Sequence, residues 1–123
     1  MSSTLIDTPT LFIDGKWCAS SERKTRATYN PYDASVIMHV DEATADDAKR
    51  AVTSAKTFFN TSDWPHKTYE ERCALLDRMA DTLQQHKAEL ARIETIDTGK
   101  TLGESEIDID DVTQVFRFYA KEA

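Results

Sequence analysis

The chain has 123 residues and a formal net charge of −7 at pH 7. That length holds one ordinary domain, and that charge argues against nucleic acid, whose phosphates demand clustered Lys and Arg. No apolar run approaches the length that crosses a bilayer, and Met1 to Thr10 lacks the basic and apolar regions of a signal peptide, so no membrane partner and a cytoplasmic location are expected.

Residues 1–10 are polar and read as a flexible N-terminus. Leu11-Phe12-Ile13 and Lys16-Trp17-Cys18-Ala19 flank Asp14-Gly15. Asp-Gly between two such runs signals a tight hairpin, because both central residues of the turn need positive φ. After a polar connection, Thr25 to Asn30 alternates and contains β-formers. Pro31 to Ser35 reads as a turn and Val36 to Val40 as the partner strand. From Thr44 the period becomes helical. Thr44 is a good N-cap, with Asp46 and Asp47 in the positive first turn. Ala48, Ala51, Val52, Ala55, Phe58 and Phe59 form an apolar stripe. Asn60 to His66 interrupts the helix, with Pro65 as the stop. Thr68 and Glu71 make a capping box for the next helix, which buries Cys73, Leu76, Ala80 and Leu83. Leu90, Ile93 and Ile96 continue an apolar face after a bend near His86. Gly99 suits the left-handed position that closes a helix, and Lys100 sits at the negative end of its dipole. The last helix runs from about Leu102 to Ala120, with Val112, Val115, Phe116 and Tyr119 as its stripe. The fold class is therefore α+β: two N-terminal β-hairpins, then three to four α-helices.

Two phosphate- and metal-binding motifs fail on the turn around Gly99. Gly99-Lys100-Thr101 matches the tail of a P-loop, but that motif needs an earlier glycine where Glu94 stands, and a strand in front of it. Asp108, Asp110 and Asp111 suggest a calcium loop. Counting from Asp108, the sixth residue is Thr113 rather than glycine and the twelfth is Tyr119 rather than glutamate. The glycines Gly15, Gly99 and Gly103 form no Gly-x-Gly-x-x-Gly fingerprint. Cys18 and Cys73 are far apart and fit reduced, isolated thiols. Each sits in an apolar context with no neighbouring base, which suits packing better than nucleophilic catalysis. His39, His66 and His86 show no metal-ligand spacing with them. Trp17 and Trp64 read as packing anchors.

Several of these segments resemble one family in one colinear register from Leu11 to Tyr119. Phe12-Ile13-Asp14-Gly15-Lys16-Trp17 resembles the opening hairpin of the aldehyde dehydrogenases. Asn30-Pro31-Tyr32-Asp33-Ala34 resembles their Asn-Pro-x-x-Gly turn, with Ala34 in place of the glycine. Glu94-Thr95-Ile96-Asp97-Thr98-Gly99-Lys100 resembles their Glu-Thr-Leu-Asp-x-Gly-Lys segment. Phe118-Tyr119-Ala120 resembles an aromatic Tyr-Tyr-Ala. The chain thus looks like the N-terminal part of an NAD(P)-dependent aldehyde dehydrogenase of betaine-aldehyde or aminoaldehyde type. Residues 11–123 would form an incomplete piece of its coenzyme-binding domain, packing on the outside of the sheet.

The resemblance implies a reaction carried out by residues this chain does not contain. In the family a cysteine thiolate attacks the aldehyde, hydride passes to the nicotinamide, and a glutamate base aids water attack on the thioester. Those residues and the nucleotide-binding residues lie downstream, so no catalytic or cofactor-binding residue is assigned here and the chain alone is expected to be inactive. Two site expectations remain. Thr28 and Tyr29, through backbone oxygens, and Asp97 match the family's ligands for a structural potassium or sodium ion, a hard cation that prefers oxygen donors. Asp108-Ile109-Asp110-Asp111 matches an Asp-Leu-Asp-Asp run at the substrate entrance of aminoaldehyde-oxidising members. Three-residue spacing puts Asp108 and Asp111 on one helical face; the plainer reading is that these acids complement the helix dipole. The expected partners are the remainder of the dehydrogenase chain, a small aldehyde, and further copies in a homo-oligomer that covers exposed apolar faces. A different class of function stays open: a complete, non-catalytic helical interaction module derived from such an enzyme.

Overall fold

The computed structural model describes residues 10–122; the flexible N-terminus expected for 1–10 falls almost wholly outside them. The described residues form two compact units. Residues 10–29 and Ala34–Pro65 make the first; Asn30–Asp33 and residues 66–122 make the second.

The first unit contains both hairpins and one long helix. Strands β1 (Leu11–Ile13) and β2 (Lys16–Cys18) pair antiparallel, Phe12 opposite Trp17. Asp14 and Gly15 both take positive φ, 56° and 72°, as a two-residue turn of this hand requires. Strands β3 (Thr25–Tyr29) and β4 (Val36–Asp41) form a separate antiparallel pair. Thr28 faces Met38 but Tyr29 faces Val36, so the register slips between them and Ile37 is the bulged residue. Helix α1 spans Ala45–Thr61 behind the Thr44 cap.

Two carboxylates hold this unit together. Asp41 accepts from the Thr10 N–H at 2.9 Å and the Ser20 N–H at 3.1 Å, which ties the end of β4 to both sides of the first hairpin. Those backbone donors hold its carboxyl below the usual range. Asp47 is only 1% exposed. It accepts from the Ser21 hydroxyl and N–H, from the Thr44 N–H at 2.9 Å, and from the Arg50 guanidinium at 2.7 Å. The Ser21 hydroxyl, followed by the Thr44 N–H, keeps this carboxyl far below the ordinary carboxylate range. The sequence places Asp47 in the first turn as a dipole partner; it is also the buried hub of the unit. The expected apolar stripe of α1 is instead exposed, at Val52, Phe58 and Phe59.

The second unit is a three-helix assembly: α2 (Tyr69–Gln85), α3 (Lys87–Thr98) and α4 (Leu102–Glu122). A single 3₁₀ turn at Trp64–His66 precedes it in sequence. The Thr68–Glu71 capping box forms in both directions, and the bend expected near His86 is the junction of α2 and α3. Helix α4 contacts both other helices. Its buried residues are Ser105, Thr113 and Ala120; those of α2 are Cys73 and Ala80, and that of α3 is Ala91. Small side chains at these positions let helix axes approach closely. Val112, Val115 and Tyr119, expected in the α4 stripe, are exposed, while Phe116 is half-buried. Polar clamps fix the C-terminal end of α4. Arg117 reaches Asp81 of α2 at 2.8 Å, and the Tyr69 hydroxyl donates to the Lys121 carbonyl at 3.0 Å. No buried side-chain nitrogen or oxygen among the described residues lacks a partner.

Candidate functional site

The turn between α3 and α4 gathers the residues singled out by sequence. Gly99 closes α3 with φ 79°, its N–H donating to the Thr95 carbonyl at 3.0 Å. Thr101 then starts α4. Its hydroxyl accepts from the Glu104 N–H at 3.3 Å, and the Glu104 carboxylate accepts from the Thr101 N–H at 3.0 Å. That reciprocal pair is a third capping box, readable in the Thr-x-x-Glu of 101–104. Behind it, the hydroxyls of Thr95 and fully buried Ser105 lie 2.9 Å apart and join α3 to α4.

Lys100 is the electrostatic centre of the turn. Its ammonium donates to Glu94 of α3 at 2.7 Å and to Asp108 of α4. Asp108 first, then Glu94, raise the lysine above its ordinary value and favour its cationic form. The same contact lowers the Asp108 carboxyl. Two residues after Asp108, Asp110 pairs at 2.6 Å with Lys87 at the start of α3. Sequence reasoning gave Lys100 only a place at the helix dipole. Residues 94 and 108 lie on different helices, and the reversal at Gly99 brings them to one lysine.

The acidic run is thus divided. Asp108 and Asp110 are each bound to a lysine. Asp111 is exposed and forms no ion pair among the described residues. A carboxylate in that state can attract a cation.

The other expected residues fall as follows. Thr28 and Tyr29 belong to the first unit, at the slip in the β3–β4 ladder, with the Thr28 hydroxyl donating to the Met38 carbonyl at 3.3 Å. Asp97 belongs to the second unit and is exposed. Cys73 is buried, as its apolar context predicts, and Cys18 is half-buried. Trp17, expected to anchor packing, is 58% exposed. Among the described residues no three His, Cys, Asp or Glu side chains cluster as a metal site, and no helix is long and apolar enough to cross a membrane. Gly15, Gly99 and Gly103 stand singly and form no Gly-x-Gly-x-x-Gly loop.

Comparison with known proteins is consistent across three levels. The family model described as the aldehyde dehydrogenase family matches residues 17–123. Betaine aldehyde dehydrogenase of Bacillus subtilis (strain 168) is 37% identical over 111 residues, which is 90% of this chain and 23% of that protein. Aminoaldehyde dehydrogenase 2 of Solanum lycopersicum is 36% identical over 110 residues, 89% of this chain and 22% of that protein. The crystal structure of betaine aldehyde dehydrogenase from Staphylococcus aureus in complex with NAD+ superposes with a TM-score of 0.87 at 43% identity, covering 89% of this chain and 22% of that one. The chain therefore spans less than a quarter of the length of these relatives.

Proposed function

The chain belongs to the aldehyde dehydrogenase family, and we propose that it serves as the N-terminal segment of an NAD(P)-dependent enzyme oxidising an aldehyde to its carboxylate. The observation that carries this reading is the 0.87 superposition of 89% of the chain on a betaine aldehyde dehydrogenase more than four times its length. A segment so placed supplies scaffold. Its cysteines lack a base partner in the sequence, its lysine at the α3–α4 turn is paired with two carboxylates, and its glycines form no Gly-x-Gly-x-x-Gly loop. The nicotinamide would accept hydride at a site built by the rest of the enzyme, and this chain's residues neither bind it nor touch the reacting atoms.

Betaine aldehyde or an aminoaldehyde is the substrate class proposed, after the names of the relatives in Bacillus subtilis and Solanum lycopersicum. Both substrate types carry a positive charge away from the aldehyde. Asp108 and Asp111 are proposed to attract that charge at the substrate entrance of the whole enzyme. Asp111 takes the larger share, because Lys100 already holds Asp108. Thr28 and Tyr29, through backbone oxygens, and Asp97, through its carboxylate, are proposed ligands of a structural potassium or sodium ion in the whole enzyme. Their donor class suits hard cations.

The experiment is an assay of the purified chain for reduced-nicotinamide fluorescence with aldehyde and NAD+. No turnover above a blank is expected. Aldehyde-dependent reduction by the chain alone would overturn the scaffold reading.

A further inference from the structure

An open groove of about 700 Å³ runs within the first unit between the β1–β2 hairpin and α1. That volume lies in the range of small-molecule sites. One wall is the hairpin, with Lys16 and Trp17. The other is a single face of α1, where Arg50, Thr53, Ser54 and Thr57 recur at helical spacing beside Lys49. The chain as a whole is acidic, yet three cations and one acid, Asp14, line this groove. The Asp14 carboxylate is already turned to the Ser54 hydroxyl at 3.1 Å.

Each cation has capacity to spare. Lys16 forms no ion pair among the described residues. Lys49 pairs with Asp46 at 3.0 Å, but both side chains are largely exposed, and such a pair is easily exchanged for a better acceptor. Arg50 spends one terminal nitrogen on Asp47, and a guanidinium has five N–H donors. Trp17 meets Phe12 edge-on, ring centroids 5.1 Å apart at 65°, and leaves more than half of its surface exposed. Exposed aromatic surface beside clustered cations and hydroxyls is the composition that recognises a flat ring carrying an anion.

We propose that this groove binds a small planar organic anion of the nucleoside monophosphate type, its ring against Trp17 and its phosphate among Lys16, Lys49 and Arg50. The site is separate from the residues proposed above for substrate attraction and cation binding.

The test titrates the 123-residue chain, carrying Trp64→Phe so that Trp17 is the remaining tryptophan, with adenosine monophosphate. Saturable quenching is expected, about tenfold tighter than with adenosine or inorganic phosphate, as loss of the charge-assisted or the stacking contacts implies. Lys16→Ala with Lys49→Ala weakens it by about tenfold or more, and added salt weakens it further. Both lysines are surface residues, so circular dichroism should be unchanged. Absence of saturable quenching, equal affinity for adenosine and its monophosphate, equal affinity for inorganic phosphate, or an unaffected double variant would each overturn the proposal.

Discussion

Gly99 lies so close to Pro31 that a Cβ built on it would sit 2.9 Å from the proline Cγ. Two demands therefore fall on one residue: the left-handed φ of 79° that closes α3, and room for the Asn30–Asp33 turn packed in the same unit. Gly99→Ala is predicted to lose about 1–2 kcal/mol from the backbone alone and more from the contact. Urea unfolding of the purified chain measures it. In a Pro31→Ala background the cost of Gly99→Ala should fall, and equal costs in both backgrounds would show that the contact contributes nothing.

Ala34 gives the opposite prediction. It holds φ at 57°, a conformation that costs a residue with a Cβ about 1–2 kcal/mol. Glycine there loses more freedom on folding, by about 0.4–1 kcal/mol. Ala34→Gly is expected to gain up to about 1 kcal/mol net, read as a higher urea midpoint at unchanged slope.

Asp47 sets a pH dependence. Its carboxyl is lowered in the folded chain by the Ser21 and Thr44 donors, so below the ordinary carboxylate range the unfolded chain binds the extra proton. Its contribution is complete above about pH 4 and drains away as pH falls toward the much lower folded value. Asp47→Asn should be less stable at pH 7 and flatter between pH 4 and 2. Parallel stability curves for the two proteins would exclude this role.

The local chemistry of these elements was legible in the sequence. Asp14-Gly15 specified its turn, Thr68 and Glu71 their cap, and Gly99 a helix end, because each signal acts over a few residues. Burial was not legible. The hydrophobic pattern pointed to Val115 and Tyr119, yet Ser105, Thr113 and Ala120 are the buried positions of α4. Close helix packing selects small side chains, and a hydrophobicity pattern does not register them. Asp47 misled in the same way, since a charged residue reads as surface unless its donors, here Ser21 from a distant loop, are known. Lys100 was placed correctly at its turn, but its two carboxylate partners emerge only when α3 and α4 fold back on each other.

The division of the acidic run predicts unequal variants in the full-length enzyme. Asp111→Asn should lower kcat/KM for betaine aldehyde or an aminoaldehyde by about two- to fivefold, the scale of one screened charge. A neutral aldehyde of similar length should be unaffected. Asp108→Asn should do less, because its carboxylate already faces Lys100 rather than the incoming substrate. The difference should shrink in high salt. Equal losses on charged and neutral aldehydes would remove the acids from substrate choice.

The most direct measurement joins this chain in frame to the remaining residues of the Bacillus subtilis betaine aldehyde dehydrogenase, in place of that enzyme's own matching segment. A scaffold segment of the same family should complete the enzyme. The chimera is predicted to reduce NAD+ in the presence of betaine aldehyde, while the 123-residue chain alone does not. A folded chimera that binds NAD+ yet oxidises no aldehyde would contradict the account.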